Sequence, residues 1–97
     1  MLFYDTNKDV YFGYTHIDFD TASNKYWFGI YLNDDYRGNG FGGMLLNYTL
    51  GHNNITKDIS EIHLSVDIDN IYAVKLYEKN NFTIYKTADC VNYMKKL

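Results

Sequence analysis

The chain has 97 residues, eleven Tyr, six Phe, one Trp, a single cysteine and a formal net charge of −3. That length suits one domain around one modest core, and the negative balance argues against general nucleic-acid binding, which draws on basic surfaces. One cysteine, Cys90, excludes an intrachain disulfide and fits a reducing cytoplasm.

No stretch approaches the roughly 18 to 20 apolar residues of a membrane helix, so no membrane partner is expected. Met1 to Asp5 carry neither a basic segment nor an apolar run of the kind a signal peptide needs. There is no internal repeat, low-complexity linker or break in composition, so residues 1–97 read as a single domain.

Leu2 to Tyr4, the polar stretch Asp5 to Asp9, and Val10 to Phe19 predict a hairpin. Strict alternation places Val10, Phe12 and Tyr14 on one face, and Tyr11, Gly13 and Thr15 on the other. A second polar turn, Asp20 to Lys25, leads to a third strand over Tyr26 to Leu32, followed by a loop from Asn33 to Gly40. The period then changes. Phe41, Met44, Leu45 and Tyr48 fall at helical spacing, with Gly51 and Asn53-Asn54 as terminators. Glu61 to Val66 predicts a short strand. Asp69 or Asn70 can cap a second helix whose apolar stripe is Ala73, Leu76 and Tyr77. Asn80-Asn81 ends it, because Asn tolerates left-handed backbone. Phe82 to Tyr85 and Val91 to Leu97 are two closing strands. The order is β-β-β-α-β-α-β-β, a mixed α/β (α+β) domain.

The densest chemical signal is Arg37-Gly38-Asn39-Gly40-Phe41-Gly42-Gly43, which holds four glycines and the only arginine. A glycine-rich turn between strand and helix lets backbone N–H groups face an anion, and the helix N-terminus adds partial positive charge. Such a turn suits phosphate. The dinucleotide fingerprint has a different glycine spacing and follows a first strand, not a third. The Gly-Lys-Ser/Thr of a Walker loop is absent. A purely structural turn remains the alternative on this loop alone. His16, His52 and His63 are far apart in sequence with no ligand-like spacing, so no metal is expected.

One strand beyond that helix the chain reads Asn70-x-x-Ala73-x-x-Leu76-Tyr77-Glu78-Lys79-Asn80-Asn81-Phe82. The two stretches together resemble the GNAT superfamily of N-acetyltransferases. Arg37-x-x-Gly40-x-Gly42 is similar to its acetyl-CoA pyrophosphate signature, and the second run to its N-x-x-A-x-x-L-Y-E-K-x-G-F motif. The resemblance covers about residues 10 to 86. It implies a mostly antiparallel mixed sheet with helices packed on it, and acetyl-CoA as cosubstrate. It also implies direct acetyl transfer to a primary amine of a small molecule, peptide or protein. By the same resemblance Arg37, Gly38, Asn39, Gly40, Phe41 and Gly42 would hold the pyrophosphate. In the family the strand before the loop splays from the next one, and the pantetheine arm pairs with its exposed backbone, here about Tyr31, Leu32 and Asn33. A backbone N–H there would polarise the thioester carbonyl. Tyr77 would protonate the departing CoA thiolate, with core packing as its alternative role. Asn70 would contact the pantetheine arm, cap its helix, or both.

The chain departs from the family pattern at three points. Asn81 stands where glycine is usual. Leu64-Ser65-Val66 replaces the L-E-V of ribosomal-protein acetyltransferases, so the familiar base glutamate is a serine. Asp67, His63, Asp34 or a relayed water are the remaining base candidates, Asp67 being the one singled out, and each reads equally as an exposed polar residue. The hairpin also begins almost at Met1, without the family's opening strand and helices. That leaves two further readings open: a non-catalytic or degenerate acyl-CoA-binding module, and a half-site completed by a second copy in a homodimer or by a partner chain.

Overall fold

The computed structural model describes residues 1–52 and 56–97. Six strands form one sheet in the order β1-β2-β3-β4-β6-β5. They are β1 (Leu2–Asp5), β2 (Val10–Asp20), β3 (Lys25–Leu32), β4 (Ile62–Asp67), β5 (Thr83–Ala88) and β6 (Val91–Lys96). Two helices among the described residues, α1 (Phe41–Leu50) and α2 (Ile71–Lys79), follow β3 and β4, and a short 3-10 turn spans Asp34–Tyr36. The order of strands and α-helices among the described residues is the predicted one, in a mixed and mostly antiparallel sheet. Among the described residues no helix is long and apolar enough to cross a membrane. The chain divides into two compact units, Met1–Ile17 with Phe28–Asp58, and Asp18–Trp27 with Ile59–Leu97.

In the first unit, β1 and β2 pair antiparallel as Leu2↔Tyr14 and Phe3↔Gly13, then Tyr4↔Tyr11 and Asp5↔Val10. Phe12 has no opposite residue, which makes it a β-bulge. The expected strict alternation therefore fails at this point. Phe12, Gly13 and Thr15 are buried, while Val10, Tyr11 and Tyr14 face outward. The bulge turns Phe12 into a core with Tyr36 and Leu45, against which Phe3, Ile30, Leu32 and Phe41 pack.

The buried face of α1 is Leu45, Leu46 and Thr49. Met44 and Tyr48, expected on that face, are exposed. A threonine is drawn inward because its hydroxyl has a buried partner. Thr49 Oγ1 lies 2.6 Å from Thr15 Oγ1, so neither polar group is orphaned. α1 stops at Leu50 with Gly51 as C-cap, one of the expected terminators. The expected Asn53-Asn54 terminator lies outside the described residues.

In the second unit, β4 pairs parallel to β3 at Tyr26↔Ile62 and Trp27↔His63, and antiparallel to β6 from Ile62↔Lys96 to Asp67↔Val91. Central position explains why Ile62, His63, Leu64 and Val66 of β4 are all buried. β5 runs on to Ala88, beyond the predicted end at Tyr85, because it pairs with β6 out to Ala88↔Val91. The hairpin between them turns on Asp89 (φ 52) and Cys90 (φ 64), both left-handed, as tight hairpins demand.

Asn70 caps α2 by accepting the Ala73 amide at 3.2 Å. At its other end Asn81 takes φ 72, the left-handed conformation that suits the residue standing in for glycine.

Candidate functional site

Of the residues expected to hold the cofactor, Tyr31 to Asn33 and Arg37 to Gly42 belong to the first unit, and Asn70 and Tyr77 to the second. Gly38 (φ 78) and Gly40 (φ 83) are left-handed, and Gly40 is the N-cap of α1. A Cβ at either position would meet nothing within 4 Å. Glycine is therefore required there by backbone conformation and not by crowding. The first helical bond of α1 runs from the Met44 N–H to the Gly40 carbonyl at 3.3 Å. The N–H groups of Phe41, Gly42 and Gly43 thus open the helix without intrahelical partners, and the helix carries no acidic residue in its first turn.

Arg37 precedes the first residue of the helix, Phe41, in the same turn. Its Nε donates to the Leu32 carbonyl at 3.2 Å. Nη1 lies 3.3 Å from Asp34 Oδ1, in a pair whose side chains are 59% and 89% exposed. Its guanidinium sits 6.0 Å from the centre of the Tyr31 ring. An ion pair this exposed is worth little, so an arriving anion can compete for the guanidinium. Asn39 turns its Nδ2 back to the Arg37 carbonyl at 3.4 Å.

The segment before the turn is more firmly held. The Asn33 N–H donates to the Phe12 carbonyl at 2.8 Å, and Asn33 Nδ2 to the Tyr11 carbonyl at 3.1 Å. Of the backbone expected to meet a pantetheine arm, the Leu32 carbonyl and the Asn33 N–H are therefore already engaged.

Tyr77, Asn70 and Asp67 belong to the second unit. Tyr77 is 7% exposed and packs edge-on against Phe82, 5.8 Å between ring centres. Burial raises its phenol above the usual tyrosine range, so it is protonated at neutral pH. Among the base candidates, Asp67 and Asp34 are exposed. Ser65, at the glutamate position of the motif, is exposed as well.

His63 differs from its expected exposed setting. It is 2% exposed, with Nε2 at 2.8 Å from Glu61 Oε2 and Nδ1 at 3.0 Å from the Tyr85 hydroxyl. Tyr85 reaches it from a second bulge, since Ile84↔Met94 is followed by Lys86↔Tyr93. The bond to His63 is the first cause that holds the Glu61 carboxyl below its ordinary range, with Lys95 adding to it. With both nitrogens occupied, this imidazole is a buried structural link.

Sequence reading missed Tyr36 and Asp5. The Tyr36 hydroxyl donates to Asp5 Oδ2 at 2.6 Å across 31 positions of sequence. No local pattern announces a bond of that span.

The family model for "Acetyltransferase (GNAT) family" matches residues 2–82. No curated protein matches the chain. Among solved structures, a spermidine N-acetyltransferase SpeG chimera from Vibrio cholerae and hSSAT superposes with a TM-score of 0.81 at 21% identity, over 99% of this chain and 64% of the other. The spermidine/spermine N-acetyltransferase SpeG from Vibrio cholerae does so at 0.78 and 21%, over 97% and 61%. A GNAT-family acetyltransferase from Streptococcus pneumoniae gives 0.76 and 25%, over 90% and 59%. The chain thus spans between 59% and 64% of the length of these three structures.

Proposed function

The chain belongs to the GNAT acetyltransferase family, and from that premise we propose that it transfers an acetyl group from acetyl-CoA to a primary amine. The observation that carries this reading is the turn itself. Gly38 and Gly40 are both left-handed, and they lead from an exposed arginine into a helix whose first three amides have no intrahelical partner. This donor set suits a diphosphate: backbone N–H groups and a helix end for the oxygens, and a guanidinium that can leave a weak carboxylate pair.

In the proposal, Arg37 to Gly42 bind the pyrophosphate of acetyl-CoA, and the Tyr31–Asn33 stretch receives the pantetheine arm. Acetyl-CoA supplies the acyl group in activated, thioester form. A backbone N–H of Tyr31 or Leu32 polarises its carbonyl while the amine attacks, since the Asn33 N–H already serves Phe12. Tyr77 gives its proton to the departing sulfur. A phenol and a thiol have ordinary pKa values of about 10 and 8.5, so this step depends on placement more than on acidity. The assignment rests on the motif match; burial raises the phenol and makes it a weaker acid, so packing against Phe82 is the competing role.

The named activity of the Vibrio cholerae structures makes spermidine and spermine the first amines to try. The net charge of −3 is compatible with a cationic acceptor. A second copy that completes the acceptor side is part of the same proposal. The specific observation that favours a non-catalytic acyl-CoA module is the exposed Ser65 at the glutamate position.

Release of free CoA in the presence of polyamines, aminoglycosides, amino-sugars and peptide N-termini separates the two readings. Amine-dependent release is expected. Tyr77→Phe is expected to lower turnover about tenfold or more, with CoA affinity close to that of the wild type. Unchanged turnover removes Tyr77 as the acid.

A further inference from the structure

The glycine turn is only as well placed as the two ends that hold it. One end is Tyr36, immediately before Arg37, and the other is Phe41, immediately after Gly40. Their rings meet edge-on at 5.3 Å between centres, so the turn is closed at its base by an aromatic contact. Phe12, projected inward by its bulge, completes the neck. It stacks on Tyr36 at 4.6 Å and meets Phe41 edge-on at 5.5 Å.

The Tyr36 hydroxyl then leaves the core and donates to Asp5 Oδ2 at 2.6 Å. Asp5 is itself fixed, because its other oxygen accepts the amides of Asn7 at 2.9 Å and Lys8 at 3.2 Å. The Lys8 ammonium lies 5.5 Å from the centre of the Tyr36 ring. The neck is therefore pinned to the β1–β2 turn by a charge-assisted bond, the strong kind. Inside the neck, the Tyr36 N–H donates to the Asn33 carbonyl at 2.9 Å and the Arg37 N–H to the Asp34 carbonyl at 3.2 Å.

We propose that Tyr36 and Asp5 are positioning residues for anion binding: their hydrogen bond preorganises the Arg37–Gly40 turn to receive its diphosphate. The inference rests on the reading of that turn as the acetyl-CoA cradle. Its physical ground is the pair of glycines. Left-handed glycines give the turn its shape but leave it the most freely rotating backbone in the site. The cost of ordering it on binding is met in advance if both ends are held.

The test combines calorimetric titration of CoA with amide hydrogen exchange of the free protein. Tyr36→Phe keeps the ring and removes only the tether. It is expected to weaken CoA about tenfold, the effect of losing one hydrogen bond to a charged group. Exchange at the Asn33, Tyr36 and Arg37 amides should quicken, with the interior of α1 unchanged. Asp5→Ala, which also frees the Asn7 and Lys8 amides, should weaken CoA at least as much, and Asp5→Asn, which keeps an acceptor oxygen without its charge, should fall between it and the wild type. The Tyr36→Phe/Asp5→Ala double variant should bind CoA no worse than Asp5→Ala alone, because that change already removes the tether along with the Asn7 and Lys8 amide bonds.

Wild-type affinity in Tyr36→Phe, or effects that simply add, overturns the tether's role while leaving the cradle intact. If the wild-type chain itself does not bind CoA, the cradle reading fails and the inference with it. Exchange at the three amides still separates that case from the first, because it reports on the tether with no ligand present.

Discussion

Asn70 accepts the Ala73 amide at 3.2 Å, so its side chain serves the helix whatever else it contacts. Asn70→Ala is expected to cost about 1 kcal/mol in urea unfolding, and Asn70→Asp or Asn70→Ser to recover most of it. Asp5 provides a pH-dependent counterpart. The Tyr36 hydroxyl is the first cause that holds its carboxyl below the ordinary range, with the Lys8 and Asn7 amides helping. The same bond pushes the Tyr36 phenol up to about 12. A carboxyl depressed by folding contributes stability above its unfolded pKa of about 3.9, and loses it as pH falls through the folded value. The stability gap between wild type and Tyr36→Phe should therefore be widest near neutral pH and narrow toward about pH 3. Unfolding curves at the two pH values check this, and a constant gap contradicts it. Residues whose role is local were legible from sequence. Asn70 precedes a helical stripe, and Asn81 follows one. His63 was not legible, because its burial comes from the central place of β4 in the sheet and its Tyr85 partner from a bulge in a strand 22 positions away.

Among the elements, the glycine turn gives the sharpest expectation. Gly40 is left-handed with open space where a Cβ would stand. Gly40→Ala should thus cost about 1 to 2 kcal/mol through backbone conformation alone. Gly40→Asn should cost less, and both should weaken CoA. Equal stability of all three proteins in thermal unfolding would contradict this. Element order and most boundaries followed from hydrophobic period and turn residues, since those report local preference. The faces did not follow. A strict period of two placed Phe12 opposite Gly13, but the unpaired residue at Phe12 turns both inward. A helical period placed Met44 and Tyr48 inside, but the Thr15–Thr49 bond makes Thr49 the buried residue. Bulges and buried hydroxyl pairs belong to tertiary context, where period carries no information.

At the scale of the molecule, the family match over residues 2–82 and the superposition with acetyltransferase structures agree with the two motifs in the sequence. The cofactor side of the account rests on residues that the fold gathers in one unit, and its chemistry on the Tyr77 phenol in the other. Nothing in composition or charge selects the acceptor, because amine recognition depends on side chains that no motif in this chain defines. The most direct measurement is calorimetric titration of CoA into the wild-type chain, alongside Arg37→Ala. The account predicts saturable one-site binding, weakened about tenfold or more by loss of the guanidinium. Absence of binding at about millimolar CoA, a free energy near −4 kcal/mol at 25 °C, or equal affinity in Arg37→Ala, would contradict it.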